Sequence, residues 1–386
     1  MKLLRLAGAP GVGKSTTAWE VAQRLVADGA PTGYVDIDQL GMCYPESADD
    51  PGRWMLKERA LDAVAAEFRA AGVEHLVVSG VAWPHAAPPR PEAAAVRSIW
   101  LDAAEQTRRR RLAPRRLDEA ELTRVLAAGT AEAARVHTAW ERLATDDDTE
   151  RQTVDRVMSL WRMPHPAAPH IPDPEALTPD ALTPEPTTPE ALTPEALAPE
   201  APTPEPAPTP APVLWITGAR LAGASRVGWE LVQRHWRAGR TAGFADLAQL
   251  SFAWHVHRPV GLPALARLHA TFGAVGASPL VVVAPLEVDP AQVRAALPAS
   301  AVSFVRLAPD ADGIRAHAGF RTRGEGPVLA GDDLCGASAA HVDGVLRLSA
   351  AQSARPARPT EIVVPTAGLS PAAAADAVAG AVTGGA

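Results

Sequence analysis

A long internal repeat divides the sequence into two related parts. Residues 4–43 align without a gap onto residues 214–253, and fourteen of the forty aligned positions are identical. Self-similarity of this kind is typical of a duplicated structural unit. We therefore predict two homologous domains, one at residues 1–163 and the other at residues 213–386.

The segment between the two copies, residues 164–212, has a composition that opposes folding. It holds 17 of the 38 prolines of the chain, together with eight acidic residues and no lysine or arginine. Proline removes a backbone donor and disfavours helix in the residue before it, so we predict a disordered, extended linker. A docking site for a protein partner, or an array of Thr-Pro sites for phosphorylation, is the alternative interpretation.

The charge of the chain argues against one class of function. The formal net charge is -7, and the eight acids of the predicted linker account for it, so the remainder is nearly neutral. Domains that bind nucleic acid usually carry a strongly basic surface. We therefore expect no nucleic-acid partner, and a nucleotide-dependent nucleic-acid enzyme is disfavoured.

In each copy, short apolar runs alternate with longer stretches of helical periodicity. The first copy has apolar runs at residues 3–7, 33–37, 76–79 and 98–101, and helical stretches at residues 14–28, 54–71 and 104–117. In the second copy, residues 361–364 and 371–380 provide a last strand and a last helix. Apolar strands that alternate with helices indicate a parallel sheet covered on both faces. The predicted fold class is therefore α/β, with two parallel three-layer α/β/α domains joined by a disordered proline-rich linker.

Residues 8–15 read GAPGVGKS and match the phosphate-binding motif G-x-x-x-x-G-K-[ST] without a mismatch. Such a loop, between a strand and a helix, directs backbone N–H groups and the positive end of the helix towards phosphate oxygens. We expect Lys14 to bind the β- and γ-phosphates and Ser15 to bind Mg²⁺. The predicted nucleotide-binding residues are Gly8, Ala9, Pro10, Gly11, Val12, Gly13, Lys14, Ser15 and Thr16. The expected cofactors are ATP, with GTP as the alternative donor, and Mg²⁺.

Two aspartates follow the second predicted strand. Asp36 and Asp38 fall on the same face if the strand continues through them, at the carboxyl edge of the sheet beside the phosphate loop. One carboxylate at this edge can hold Mg²⁺, and we assign this role to Asp36. The other, Asp38, can accept a proton from a substrate hydroxyl. A pair of turn and helix-cap acids is the alternative interpretation.

Three features together make the first copy resemble the small P-loop kinases, such as the shikimate, gluconate and nucleoside-monophosphate kinases. These are the phosphate loop between a strand and a helix, the Asp-x-Asp sequence, and the arginine-rich segment after the sequence WLDA. The resemblance implies a mobile lid at residues 106–116 that supplies arginines to the transferred phosphate. We expect Arg110 and Arg116 of this lid to act in catalysis with Lys14 and Asp38. A solvated basic helix face is the alternative.

The acceptor of such a kinase is not identified by the sequence. Arg53, Lys57 and Arg59 lie before or within the second predicted helix, where they can bind an anionic acceptor or serve as surface charge. The strand at residues 76–79 lacks the acidic Walker B residue that often binds the metal. We therefore assign metal binding to Ser15 and Asp36.

The second copy has lost residues that phosphoryl transfer requires. Residues 218–225 read GARLAGAS, so Ala224 replaces the phosphate-binding lysine, and Ala248 replaces the second aspartate. Loss of both side chains argues against catalysis, and we predict a pseudo-kinase domain. The alternative is that Arg226 substitutes for the missing cation.

The leading hypothesis is a cytoplasmic kinase that transfers the γ-phosphate of ATP to a hydroxyl or phosphate group of a small molecule. The alternative is a nucleotide-binding regulatory or scaffold ATPase without a dedicated acceptor, whose linker or second domain binds a protein partner. Cys43 and Cys335 form neither a metal-ligand pattern nor a disulfide framework. We expect no signal peptide and no membrane-spanning segment, and hence no membrane partner.

Overall fold

The computed structural model describes residues 1–89, 95–113, 118–163, 211–325 and 329–384. The predicted linker, residues 164–212, lies outside the described residues except for its last two. None of the helices in these ranges is long and apolar enough to cross a membrane.

The elements of the first copy follow the predicted alternation. Its strands are β1 (Lys2–Gly8), β2 (Thr32–Asp36), β3 (Cys43–Tyr44), β4 (His75–Ser79), β5 (Ala95–Asp102) and β6 (Glu141–Ala144). Its helices are α1 (Lys14–Ala27), α2 (Trp54–Ala70), α3 (Glu105–Leu112), α4 (Glu119–Ala133) and α5 (Glu150–Arg162). The four predicted strands are present, and so are the three predicted helices, the last of which is described only to residue 113. The apolar runs did not reveal β6.

The second copy has the same alternation. Its strands are β7 (Val213–Gly218), β8 (Ala242–Asp246), β9 (Ala253–Trp254), β10 (Leu280–Val283), β11 (Val302–Ala308) and β12 (Glu361–Pro365). Its helices are α6 (Ala224–Arg237), α7 (Gly261–Gly273), α8 (Pro290–Ala296), α9 (Ala311–Thr322), α10 (Ala339–Ser353) and α11 (Pro371–Gly384). The strand and the helix predicted near the end of the chain correspond to β12 and α11.

Within the described residues each copy builds five parallel strands, and the sixth strand at the edge of each sheet comes from the other copy. The strand orders are β6-β5-β1-β4-β2-β9 and β12-β11-β7-β10-β8-β3. The exchanged strands β9 and β3 are antiparallel to their neighbours. The predicted class of two parallel α/β/α units is therefore confirmed, whereas the exchange of edge strands was not predicted.

Helices cover both faces of the first sheet. On one face, α1 and α5 form a core with β1, which includes Leu6, Val21 and Val157. On the other face, α2 contributes Leu61 and Phe68 to a core that continues into the second copy. Because the strands are parallel, the loops that follow β1, β2 and β4 meet at one edge of the sheet.

The start of α2 is fixed by a buried carboxylate. Asp50 is 8% exposed, and its Oδ1 and Oδ2 accept hydrogen bonds from the backbone N–H groups of Met55 and Leu56 at 3.0 and 2.9 Å. These N–H groups have no partner within the helix, so the aspartate satisfies them. This contact sets the position of the first turn of α2, which carries Lys57.

Candidate functional site

The shape of the phosphate-loop backbone depends on its glycines. At Gly8, which ends β1, a β-carbon would lie 2.4 Å from the carbonyl oxygen of Leu101, so a side chain would collide with β5. Gly11 and Gly13 have φ angles of 87° and 95°, in the left-handed region that glycine adopts readily. Helix α1 begins at Lys14, so the positive end of the helix lies at the loop.

An arginine of α3, Arg111, donates a hydrogen bond to the backbone of the phosphate loop. Arg111 donates from Nη1 to the carbonyl oxygen of Val12 at 3.1 Å and from Nη2 to that of Thr145 at 2.7 Å. Thr145 directly follows β6, so this one side chain links the loop after β1 to the edge strand of the sheet. We expect Arg111 to fix the loop backbone in its binding conformation.

A second arginine, Arg108, lies one turn earlier on α3 and is only 2% exposed. Its Nη2 donates to Oγ1 of Thr130 at 2.7 Å and to the carbonyl oxygen of Leu126 at 3.1 Å, both in α4. Its Nη1 is buried and makes no hydrogen bond within the described part of the chain. A β-carbon on Gly129 would lie 2.2 Å from this Nη1 and 2.9 Å from Cβ of Ala9. A charged donor therefore lies between α4 and the phosphate loop.

The structure describes one of the two arginines that the sequence selected. Arg110 is on α3 and is exposed, and Arg116 falls outside the described residues. Their roles in catalysis stay predictions. The structure brings Arg108 and Arg111, which are three positions apart on one helical face, to the loop.

The two aspartates meet at the carboxyl edge of the sheet. A β-carbon on Gly80, which follows β4, would lie 3.1 Å from Oδ1 of Asp36 and 3.2 Å from Oδ2 of Asp38. The backbone N–H of Asp38 also donates to Oδ1 of Asp36 at 2.9 Å. The same β-carbon would lie 2.7 Å from Cγ2 of Ile37, so both carboxylates approach Gly80 at a close-packed position that only glycine fits.

The first of these carboxylates ionises at an unusually high pH. The pKa of Asp36 is raised to about 6, mainly by burial and then by the negative charge of Asp38. The hydrogen bond from the backbone of Asp38 and the positive charges of Lys14 and Lys57 act in the opposite direction. Because the ionised form is penalised by burial and by a like charge, a cation bound beside Asp36 would stabilise it.

The donor set suits Mg²⁺, which takes oxygen ligands from carboxylates, hydroxyls, water and phosphates. Asp36 supplies a carboxylate and Ser15 a hydroxyl. In the second copy, Oγ of the equivalent Ser225 lies 3.4 Å from Oδ2 of the equivalent Asp246. This backbone therefore brings a hydroxyl and a carboxylate together at these two positions.

A buried lysine holds the second aspartate in place. Lys57 is 5% exposed, and its Nζ lies 3.2 Å from Oδ1 of Asp38. The same Nζ lies 5.1 Å from the ring centroid of Trp54, which stacks on Trp83 with 6.4 Å between the centroids. Trp83 is 50% exposed. Asp38 is thus linked through Lys57 to an aromatic surface that is open to solvent.

The other two basic residues considered as ligands of an anionic acceptor, Arg53 and Arg59, contact groups other than the two aspartates. The guanidinium of Arg53 lies 3.5 Å from the ring centroid of Tyr44, and its Nη1 donates to the carbonyl oxygen of Gly41 at 2.5 Å. Arg59 is exposed and donates to the carbonyl oxygen of Met55 within its own helix. Of the three, Lys57 is the residue that the structure brings to an aspartate of the site.

Glu132 is a site residue that the sequence did not single out. It lies on α4, three positions after Gly129, and therefore on the side of the helix that approaches the phosphate loop. Burial raises the pKa of Glu132, while the positive charges of Lys14 and Arg108 lower it.

The loop of the second copy keeps the backbone shape with different residues. Leu221 stands where the first copy has Gly11, and its φ is 68°, a conformation that costs a leucine about 1–2 kcal/mol. Its carbonyl oxygen lies 2.7 Å from Nδ1 of His317. Arg226, the alternative cation, lies over the ring of Phe320 at 5.0 Å. The interpretation of this copy as a pseudo-kinase stays a prediction.

Comparison with known families concerns the first copy. Residues 5–154 match the model of a family described as AAA domain. No curated protein sequence matches the chain. The family match agrees with the phosphate loop and with the nucleotide-binding class predicted for this copy.

Several solved structures are similar to part of the chain. A sugar kinase from Janibacter sp. HTCC2649 is 18% identical, with 42% of this chain and 94% of that chain covered and a TM-score of 0.30. A gluconokinase from Sinorhizobium meliloti 1021 is 18% identical, with coverages of 41% and 90% and a TM-score of 0.28. An APS kinase from Mycobacterium tuberculosis, in complex with AMPPNP and APS, is 19% identical, with coverages of 42% and 98% and a TM-score of 0.29. These three structures are described as kinases, and the match of the family model to residues 5–154 supports the P-loop part of the predicted resemblance.

Proposed function

We propose that the first copy is an ATP-dependent kinase that transfers the γ-phosphate to a hydroxyl or phosphate group of a small molecule. The observation that carries this proposal is the convergence of Asp36 and Asp38 beside Gly80, at the edge of the sheet where the charge of Lys14 acts on Asp36. A protein that only binds nucleotide needs one carboxylate for the metal, whereas transfer also benefits from a second group that orients an acceptor.

The phosphate loop binds the triphosphate in this proposal. Its backbone N–H groups and Lys14 contact the β- and γ-phosphates, while Ser15 and Asp36 hold Mg²⁺. Bound Mg²⁺ neutralises charge on the phosphate oxygens. Nη1 of Arg108, which makes no hydrogen bond within the described residues, is a donor near the loop that can stabilise the transferred phosphate. Arg110 remains a candidate for the same role.

Asp38 is the residue that we assign to the acceptor. Its Oδ2 lies beside Gly80, and its Oδ1 is held by Lys57. An acceptor hydroxyl bound next to the phosphate loop donates a hydrogen bond to Asp38. As its oxygen bonds to the γ-phosphorus and the bond to the β-phosphate oxygen breaks, its proton passes to Asp38 and ADP leaves. For a phosphate acceptor, the attacking group carries no proton and Asp38 is not needed as a base.

A second function is favoured by one observation. The second copy contributes a strand to the sheet of the first and shares a core with it, which is an arrangement suited to transmitting nucleotide state between domains. A regulatory or scaffold ATPase would bind and slowly hydrolyse ATP without a dedicated acceptor. The two functions therefore differ in whether an acceptor raises the rate of ATP consumption.

Label transfer separates the two functions. The full chain is incubated with γ-labelled ATP, Mg²⁺ and a panel of hydroxyl metabolites, sugars and nucleoside monophosphates. We expect label on one acceptor class, and for a hydroxyl acceptor a loss of about 100-fold or more in the transfer rate of Asp38→Asn. ATP binding without transfer to any member of a broad panel would favour the regulatory function instead.

The raised pKa of Asp36 predicts a pH dependence of metal-assisted binding. Protons compete with Mg²⁺ for this carboxylate, so affinity for Mg·ATP should fall as the pH drops through about 6. In Asp38→Asn, the neighbouring negative charge is removed and the pKa of Asp36 falls, so the midpoint should move to lower pH. Titration calorimetry between pH 5 and 8 measures both midpoints. An unchanged midpoint in the variant would contradict the assignment of Asp36.

The free energy of unfolding of the ligand-free chain should fall as the pH rises through about 6, whereas the affinity for Mg·ATP should rise. A raised pKa means that the folded chain binds a proton at Asp36 more tightly than the unfolded chain does. The stabilisation from this proton is present at low pH and is lost as the pH rises through about 6.

A further inference from the structure

The contacts between the two copies follow the symmetry of the internal repeat. In one sheet the backbone N–H of Tyr34 donates to the carbonyl oxygen of Phe252 at 2.9 Å, and in the other the N–H of Phe244 donates to that of Met42 at 2.8 Å. Tyr34 aligns with Phe244 and Met42 aligns with Phe252 in the repeat. Each copy therefore gives the same segment to the same edge of its partner, as the two subunits of a twofold-symmetric dimer do.

The packing beneath the exchanged strands follows the same symmetry. Helices α2 and α7 pack against each other within one core that includes residues of both copies. On β2, a β-carbon at Gly33 would lie 2.4 Å from the ring of Phe68 in α2. On β8, a β-carbon at Gly243 would lie 2.5 Å from the ring of Phe272 in α7. In both copies a glycine of the strand lets the helix of the same copy approach closely, so α2 and α7 pack on their own sheets in the same way.

Ion pairs add polar contacts at one end of this helix pair. Glu67, near the end of α2, has a side chain that is 13% exposed and accepts from Nε of Arg267 at 2.9 Å and from Nη2 of Arg258 at 3.3 Å. Nε of Arg258 also donates to the carbonyl oxygen of Ala70 at 3.2 Å. Two cations of the second copy thus hold the carboxyl-terminal end of a helix of the first copy.

The elements held in this way carry the candidate site. Strand β2 ends at Asp36, and α2 carries Lys57, the partner of Asp38. The second copy also reaches α1, because Trp19, one turn after Ser15, lies 4.9 Å from the ring of Phe252 between centroids. Three elements that surround the site are therefore in contact with the second copy.

We infer that the second copy is a built-in partner subunit that occupies the place of a second copy of the first half and positions β2 and α2. It serves this purpose without binding nucleotide itself, which agrees with a phosphate loop in which an alanine replaces the lysine. The association of the copies is independent of the proposed kinase function. The positioning role rests on that function, since it concerns the residues assigned to it.

Cleavage of the connecting segment tests the association. A protease recognition sequence is inserted after residue 190 of the full chain, the folded protein is cleaved, and the product is run on a sizing column at micromolar concentration. We expect the halves to elute together at the position of the intact 40.4 kDa chain and to bind Mg·ATP within about twofold of the uncleaved protein. Separation of the halves on the column would overturn the inference. Joint elution without nucleotide binding, before and after cleavage, would instead count against the proposed kinase.

Hydrogen exchange of full-chain variants tests the positioning. In Arg258→Ala/Arg267→Ala we expect the backbone amides of residues 54–70 and 32–36 to exchange several-fold faster than in the wild-type chain, with residues 371–384 unchanged. The matched control is Arg237→Ala, on α6, whose ion pair with Glu230 lies within one helix. Unchanged exchange in α2 of the double variant would show that the second copy does not position this helix.

Discussion

Replacement of the phosphate-loop lysine, Lys14→Ala, is expected to weaken binding of Mg·ATP by up to about 100-fold. A charge-assisted contact contributes about 1.5–3 kcal/mol, and each 1.4 kcal/mol changes the affinity tenfold. The rate of phosphate transfer should fall further, because the same charge stabilises the phosphate during the reaction. Titration calorimetry of the full chain measures the affinity and the stoichiometry together.

The chain offers a matched control for this variant. Lys2 is exposed at the first position of β1, at the opposite end of the strand from the phosphate loop. Lys2→Ala should therefore bind one nucleotide per chain with the affinity of the wild type. Wild-type affinity in Lys14→Ala would refute the assignment of the loop, and two nucleotides per chain in the wild type would refute the prediction that the second copy is inactive.

The phosphate loop could be predicted from the sequence because its chemistry is local. The motif, the apolar strand before it and the helix after it occupy fewer than thirty consecutive residues, and the backbone itself supplies most of the binding groups. Asp36 and Asp38 were also found by local reasoning, but not through the alternation assumed. β2 ends at Asp36, and a turn in which the N–H of Asp38 donates to Asp36 brings the second carboxylate to the same edge. Such patterns need no knowledge of distant contacts.

The choice among the arginines of α3 could not be made from the sequence. Four arginines in succession cover every side of a helix, so periodicity selects none of them. The structure places Arg108 and Arg111 at the loop because α3 packs against α4 through Arg108 and against the end of β6 through Arg111. These contacts depend on the position of the helix in the fold. Glu132 escaped notice for the same reason, since only the approach of α4 to the loop gives it a role.

The exchange of edge strands also lay beyond the sequence patterns. β3 and β9 contain two residues each, which is too short for an alternating pattern, and strand pairing depends on backbone groups that every residue except proline carries. The repeat predicted two similar domains, but similarity alone does not indicate whether they are separate or intertwined. The intertwined arrangement links the stability of the nucleotide site to residues of the second copy.

This link predicts a large effect for a single substitution in the second copy. Phe272, on α7, is 1% exposed and belongs to the core that contains Leu61 and Phe68 of the first copy. Phe272→Ala should lower the free energy of unfolding of the full chain by about 3–5 kcal/mol, since it leaves a cavity in a shared core. We expect both copies to unfold in one transition at a lower denaturant concentration. Intrinsic fluorescence follows unfolding of the whole chain, and release of a fluorescent ATP analogue reports on the first copy.

The matched control for this variant is Phe320→Ala. Phe320 is partly exposed on α9, outside the shared core, and contacts Arg226 of its own copy. Its loss should cost less, because less apolar surface leaves its buried environment, and nucleotide release should keep a midpoint close to that of the wild type. If Phe272→Ala instead produced two separate transitions, with nucleotide release unchanged, the two copies would be independently stable domains. A joint shift of both signals in this variant alone would mean that a copy without the phosphate-binding lysine maintains the site of its neighbour through packing.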